Sequence, residues 1–307
     1  MAISLEKESR RRVRFFDTIG GIVLTLGAVA FIVNLFVGRT GFDFSYILER
    51  YPIYLKATQV TLYATSLSFA MGMGIGFLLG WTRAARPVPL RKILEDRRKL
   101  ESKSTSAALR SPHVLSIALL SGLRYSFRRI ADGYVEVIRG TPLFVQIVFV
   151  WSVLLVRYPR LPELSLIAGI IALTLNTGGY QGEIFRAGFQ TVHSGQVEAA
   201  RAVGLSRWGA MRNIVLPQAL RLVIPPLTNE YIGLLKASSL LFVIGVSELT
   251  TVGQGETFIT FKIFEVFAVV TGIYFLMTVP LSKAIEYVER RYRIPGLGIQ
   301  QARTARV

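Results

Sequence analysis

The chain has 307 residues, 51% of them hydrophobic, and carries 36 Lys and Arg against 19 Asp and Glu for a net charge of +17. It contains no cysteine, which excludes disulfides and cysteine metal sites without identifying a compartment. A soluble domain this basic would suggest a nucleic-acid partner, but here the charges sit between uncharged runs of membrane length with no aromatic and basic platform beside them, so nucleic-acid binding is the weaker reading.

A helix needs about 20 apolar residues to cross the hydrocarbon. Six runs meet or approach that length: Thr18–Val37, Thr58–Thr82, Gly140–Val156, Leu164–Gly182, Tyr231–Ser247, interrupted only by Lys236, and Val266–Ser282. None shows period-two alternation, and lipid demands internally satisfied backbone, so strands are disfavoured and the expected fold is all-α and polytopic. The first run follows a basic tail, residues 1–17, that ends in Asp17. No small-x-small pattern closes it, so it is expected to be a retained span rather than a cleaved signal.

Basic residues set the expected orientation. The N-terminal tail has Lys7, Arg10, Arg11, Arg12 and Arg14. The segment after the second run extends from Arg83 to Arg129 with many more. The segment between the fourth and fifth runs is flanked by Arg186 and Arg221, and the C-terminal tail, residues 292–307, follows Arg290 and Arg291. With six spans all four segments fall on one side. The opposite connections hold only Arg39 and Arg50, then Arg157 and Arg160, then Lys262. Both termini are therefore expected to be cytoplasmic, and the net charge reads as a topology signal with affinity for anionic membrane lipid.

The basic insertion 83–133 holds a charged run through Lys103, a Ser-rich patch and the apolar stretch His113–Leu123, too short to cross. Followed by Arg124, Arg128 and Arg129, that stretch is expected to lie at the membrane interface, and the insertion reads as a lipid-facing basic loop rather than a regulatory site. His113 and His193 are far apart without ligand spacing and read as surface residues, not metal ligands. Gly72, Gly76 and Gly80 have the small-xxx-small spacing of close helix packing, within the chain or at a partner interface. Glu183 and Arg186, three apart, are expected to pair as a gate or anchor at the cytoplasmic end of the fourth span.

Two features point beyond packing. Residues 197–217, VEAARAVGLSRWGAMRNIVLP, cannot span a membrane yet keep apolar residues at helical spacing. They read as two short helices, with Gly204 ending the first in a left-handed conformation, Ser206 capping the second and Pro217 limiting its continuation. Trp208 and Met211 then stand out as knobs among arginines, against the chain's own spans or against a partner. The second feature is Lys236. A lysine inside a membrane run costs roughly 3 kcal/mol, so it is expected to face protein or water. Glu230, six residues earlier, is not stacked on the same helical face but could reach the same cavity from another side. An α-amino acid carries a carboxylate for Lys236 and an ammonium for Glu230. Asn229, Ser238 and Ser239 would be neutral partners, and the hydroxyls of Thr58, Thr61 and Thr65 either line a polar route or bond back to their helix. The alternative for the charges is an internal ion pair or a snorkelling lysine.

Glu198-Ala199-Ala200, Gly204 four positions later, Ile214 and Leu216-Pro217 match the EAA signature of ATP-binding-cassette importer permeases. Arg139-Gly140-Thr141-Pro142-Leu143, Tyr180-Gln181-Gly182-Glu183-Ile184-Phe185-Arg186, Asn229-Glu230-Tyr231-Ile232 and Val246-Ser247-Glu248-Leu249 are similar to the polar-amino-acid branch of that family over about residues 56–291. The resemblance implies a type I importer permease fold in which loop 190–221 is a coupling element. Glu198, Ala199, Ala200, Gly204, Trp208, Met211, Ile214, Leu216 and Pro217 would dock on a separate ATPase subunit. It also implies a second permease subunit, an extracytoplasmic solute-binding protein, and ATP-Mg bound by the ATPase, not by this chain. Three departures stand out: an additional first span, the long insertion, and Ala237 where the family usually has an acidic residue, which weighs against a cationic substrate. No phosphate-binding Gly-x-x-x-x-Gly-Lys-Ser/Thr motif and no nucleophile–base arrangement occurs, so no catalytic residue is assigned and energy must come from another polypeptide. The rival readings are an ion-coupled secondary transporter using Lys236 and Glu230, and a membrane scaffold or sensor without flux.

Overall fold

The computed structural model describes residues 43–84, 112–192 and 194–291. The expected first span, insertion residues 85–111, His193 and both tails lie outside the described residues. Within them all regular structure is helical.

Helix α1 spans Phe44–Ala84. Asp43 caps it, accepting from the Ser45 amide at 2.9 Å and the Tyr46 amide at 3.3 Å. The Lys262 ammonium bonds the same carboxylate and, with Ser45, holds the Asp43 carboxyl well below the usual carboxylate range. The helix starts well before the apolar run Thr58–Thr82 because its first turns are amphipathic: Tyr46 and Tyr54 are buried with hydroxyls 2.7 Å apart, and Tyr46 donates to Glu256 at 3.2 Å.

Helix α2 runs unbroken over Pro112–Gly140. This corrects the expectation of a short interfacial helix followed by a basic loop. His113–Leu123 is the first part of one long helix, tied to the bundle further along by Asp132, buried Val135, and Tyr134, whose hydroxyl donates to the Leu175 carbonyl at 2.6 Å. The chain then bends by 110° into α3, Leu143–Arg157. Pro142 disfavours helical backbone at Thr141. The Gln146 amide staples the bend by donating to the Ile138 carbonyl at 2.8 Å and to the Thr141 carbonyl at 3.1 Å.

Helix α4, Leu164–Thr191, is the buried centre of the bundle. It lies along α1 on a small-residue seam. A Cβ on Gly72, Gly76 or Gly80 would come within 2.4–2.6 Å of Thr177, Gln181 or Phe185 side-chain carbons. The small-xxx-small spacing therefore serves packing within the chain, not a partner interface.

Next come α5 (Ser194–Ala202), α6 (Arg207–Ala210), a π turn (Met211–Val215) and α7 (Leu216–Ala237). Pro217 does not limit the helix, as expected from sequence; it is the second residue of α7. The wide turn before it, where the Leu216 amide bonds the Met211 carbonyl, absorbs the irregularity, and a proline this early in a helix forfeits little. The run Tyr231–Ser247 falls largely within the apolar helical stretch Trp208–Ile244, with a change of helical geometry inside it. After α7 the chain tightens into a 3₁₀ segment, Ser238–Ile244, and Gly245 turns at φ 74°. Helix α8, Leu249–Thr260, then starts on Glu248, whose buried carboxylate accepts the Thr250 and Thr251 amides at 2.8 and 2.7 Å. Helix α9 covers Ile263–Arg291.

Among the described residues, helices within Ser45–Ala84, Trp208–Ile244 and Ile263–Ile285 are long and apolar enough to cross a membrane, and the bent pair α2–α3 makes a fourth. The core joins α1, α3, α4, α7 and the 3₁₀ segment through Ala64, Ile147, Leu173, Leu234 and Leu241. At one end, rich in arginine, Arg83 donates to Asp132 at 2.6 Å and to Glu183 at 2.8 Å, while Arg186 also pairs with Glu183 and reaches Gln190. The expected Glu183–Arg186 pair is thus part of a network that fastens α1, α2 and α4.

Candidate functional site

At the arginine-rich end the 194–217 segment folds as a bent helical pair. Gly204 takes φ 88°, and the Leu205 amide reaches back to the Ala200 carbonyl at 3.1 Å, closing the left-handed helix end anticipated from sequence. The Ser206 hydroxyl caps the next turn by accepting the Gly209 amide at 3.0 Å. Gln218 donates to Gln196 at 2.7 Å and ties α7 to α5. Ala199, Ala200, Val203, Leu205 and Ile214 line an open groove of about 460 Å³ between the two arms. Glu198 is exposed beside it, and Pro217 is exposed at the start of α7. Met211 and Leu216 instead pack inward against the apolar cluster of Phe185, Phe189, Val215, Ala219, Val223 and Leu227. Trp208 does both: it is 63% exposed, and its ring lies edge-on to Trp81 of α1 at 6.1 Å.

A second site is a half-open pocket on the side of the bundle, with Thr141, Pro142 and Gly233 of its lining exposed. A cavity of about 280 Å³ is lined by Thr141, Pro142, Asn176, Tyr180, Glu230, Gly233 and Ala237. Three elements converge there because the 110° bend brings Thr141 to the α4–α7 contact. One Glu230 oxygen accepts the Thr177 hydroxyl at 3.0 Å, and that hydroxyl accepts from Gln181 at 3.1 Å. Asn176 donates one N–H to the Gln146 side-chain oxygen at 3.0 Å, which leaves its second N–H and its carbonyl oxygen for a ligand. Arg139 lies over the Tyr180 ring at 5.5 Å. The lining is rich in hydrogen-bond acceptors around one carboxylate, which suits a cationic or N–H-bearing group.

The residues expected to bind substrate separate into three sets. Glu230 lines the cavity. Asn229 and Lys236 are exposed on α7, and with Gly233 they form a stripe at i, i+4 and i+7. Lys236 does not line the cavity. Thr61, Ser238 and Ser239 do not line it either, and their hydroxyls bond to backbone. Thr61 is fully buried, donates to the Ala57 carbonyl at 3.0 Å and accepts the Leu249 amide at 3.1 Å. Ser238 and Ser239 donate to the carbonyls of Leu235 and Lys236 at 2.7 and 2.8 Å. Thr141, Asn176 and Tyr180 line the cavity without having been singled out for it. For Asn176 and Tyr180 the signal was the polar run Thr174–Gln181 inside an otherwise apolar span, which a count of charges alone passes over.

Residues 115–294 match the family described as binding-protein-dependent transport system inner membrane component. The chain is 32% identical over 253 residues to the glutamine transport system permease protein GlnP of Escherichia coli (strain K12), an alignment covering 82% of this chain and 99% of that one. It is 39% identical over 167 residues to the probable glutamine ABC transporter permease protein GlnM of Bacillus subtilis (strain 168), covering 53% of this chain and 74% of that one. Its structure resembles that of an amino acid ABC transporter crystallised with histidines, with a TM-score of 0.64 at 30% identity over 82% of this chain and all of the other. An inward-facing MetNI methionine ABC transporter matches the fold with a TM-score of 0.53 at 18% identity, over 77% of this chain and 96% of that one.

The chain belongs to the family of binding-protein-dependent transport system inner membrane components. It is a multi-pass permease subunit with the type I ABC importer fold, a transport component rather than an enzyme, and its family works with ATPase and solute-binding partners.

Proposed function

We propose that the chain forms half of the transmembrane route of an ATP-driven importer of polar, neutral amino acids. The observation that carries the substrate class is the acceptor-lined cavity around Glu230. Its carboxylate receives the substrate ammonium, with Asn176 and Tyr180 as neutral partners. Ala237 in the lining leaves that end without a second carboxylate for a cationic side chain. The names of the glutamine permeases and of the transporter crystallised with histidines support an amino acid.

Exposed Lys236 and Asn229 cannot face lipid without a cost of roughly 2–3 kcal/mol for the lysine alone. A second permease subunit, identical or related, covers this stripe and encloses a polar route where Lys236 meets the substrate carboxylate. The lysine and arginine bias puts the arginine-rich end and both termini in the cytoplasm. There the 194–217 loop docks on an ATPase subunit that binds ATP-Mg. ATP closes the ATPase pair, the loops approach each other and the bundle opens outward to a solute-binding protein. Hydrolysis resets the cycle.

In proteoliposomes holding this chain, its ATPase and its binding protein, L-glutamine or L-histidine uptake is expected to require ATP and to survive collapse of ion gradients. Gradient-driven uptake without the ATPase would identify an ion-coupled carrier instead; ATP hydrolysis with no flux of any amino acid would identify a scaffold.

A further inference from the structure

The ring contact between Trp208 and Trp81 joins the loop to α1. Trp81 stacks on Phe77 at 6.0 Å and meets Phe189 edge-on at 5.6 Å. Phe77 in turn meets Phe185 at 5.5 Å. These rings connect the loop to α1 and α4 together. The two helices form one body. Their backbones touch along the Gly72, Gly76 and Gly80 seam, and Arg83, two residues after Trp81, binds Glu183 of α4.

The loop is also attached covalently at both ends, to α4, which ends at Thr191 three positions before α5 begins, and through the π turn Met211–Val215 to α7. The Glu230 cavity lies between α4 and α7. Asn176, Thr177 and Tyr180 come from α4 and Glu230 from α7; the Thr177–Glu230 hydrogen bond links the helices here, while nearer the loop they pack closely where Gly188 meets Val223 and Ala219.

We infer that Trp81 is a positioning residue that takes up displacement of the 194–217 loop from Trp208 and passes it to the α1–α4 body, while the π turn passes it to α7. One loop then works two levers, and the cavity at their junction opens or closes as they shear. Close-packed side chains transmit displacement because they leave little free volume to absorb it. Trp208 suits the task because it presents one side outward and one edge to Trp81. Met211 and Val197 also pack on the cluster, but neither brings a rigid ring to it. The inference rests on the loop being the element that the ATPase grips.

The test uses the complete importer in proteoliposomes, with L-glutamine and L-histidine as probes. Trp81→Ala is expected to retain the ATPase through purification and to keep hydrolysing ATP, while amino acid moved per ATP falls about tenfold, a usual size for coupling between sites. Trp81→Phe, which keeps a ring edge, is expected to restore the ratio to within about twofold of the parent. Trp81→Leu, which keeps bulk without a ring, decides the matter if the alanine variant does not fold; the same tenfold loss is expected. An unchanged ratio in the alanine or leucine variant overturns the inference and leaves loop docking intact, and so does loss of the ATPase on purification, since Trp81 would then serve assembly. Docking itself is tested separately by Glu198→Lys with Trp81 intact: retention of the ATPase at full yield would count against the loop as its grip, whatever Trp81 does.

Discussion

Glu230→Gln is expected to lower uptake by the reconstituted importer by about ten- to a hundredfold, the usual weight of a hydrogen bond to a charged group. The amide oxygen still accepts from Thr177, so the helix contact survives while the negative charge that attracts an ammonium is gone. Lys236→Met is expected to cost as much by removing the partner of the substrate carboxylate. If the two side chains hold opposite ends of one zwitterion, the double variant loses less than the product of the single losses, because each single change already leaves the ligand half-held. Uptake with unchanged rate and affinity in either single variant removes that residue from the route. An ATPase activity that no longer responds to loaded binding protein, with binding-protein docking intact, places the loss at the cavity.

The second large effect concerns stability. Gly76→Ala puts a methyl 2.6 Å from the Gln181 Cβ and 2.9 Å from the Gly182 backbone nitrogen, so no side-chain rotation relieves it and α1 and α4 must separate. Overpacking of this kind costs about 1–3 kcal/mol, and the melting temperature of the detergent-purified chain is expected to fall by roughly 5 °C. Gly74→Ala is the matched control: the same substitution on the same helix has nothing within 4 Å of the new methyl and is expected to melt with the parent. Equal melting of both variants would mean that the seam is not a tight one.

The apolar runs foretold the cores of α1, α4 and α9, because a span's length and lack of charge are properties of local sequence. The end of α5 was equally legible: Gly204 four residues after the Glu-Ala-Ala triplet calls for a left-handed turn, and its φ is 88°. What sequence concealed depends on tertiary partners. Thr177 and Glu230 are 53 positions apart, and nothing local to either says that one hydroxyl will occupy that carboxylate. Thr61 is legible as a membrane hydroxyl but not as the acceptor of the Leu249 amide, because its partner arrives from 188 residues away. Helix α2 was obscured by its own arginines, which break the apolar run even though Asp132, one turn on, lies 3.7 Å from Arg128. The fifth apolar run looked continuous because the shift from α7 to the 3₁₀ segment changes backbone geometry and not polarity.

The grip of an ATPase on the 194–217 loop is open to one direct measurement. The chain has no cysteine, so Val203→Cys, at a position 79% exposed beside the loop groove, places a single thiol where docking is expected. With a short thiol-to-amine cross-linker applied to inverted membrane vesicles of the whole importer, that cysteine is expected to join the permease to lysines of its ATPase subunit in high yield and to change in yield when ATP is bound. A thiol that couples to the solute-binding protein, or to no subunit while the complex still hydrolyses ATP, would contradict it.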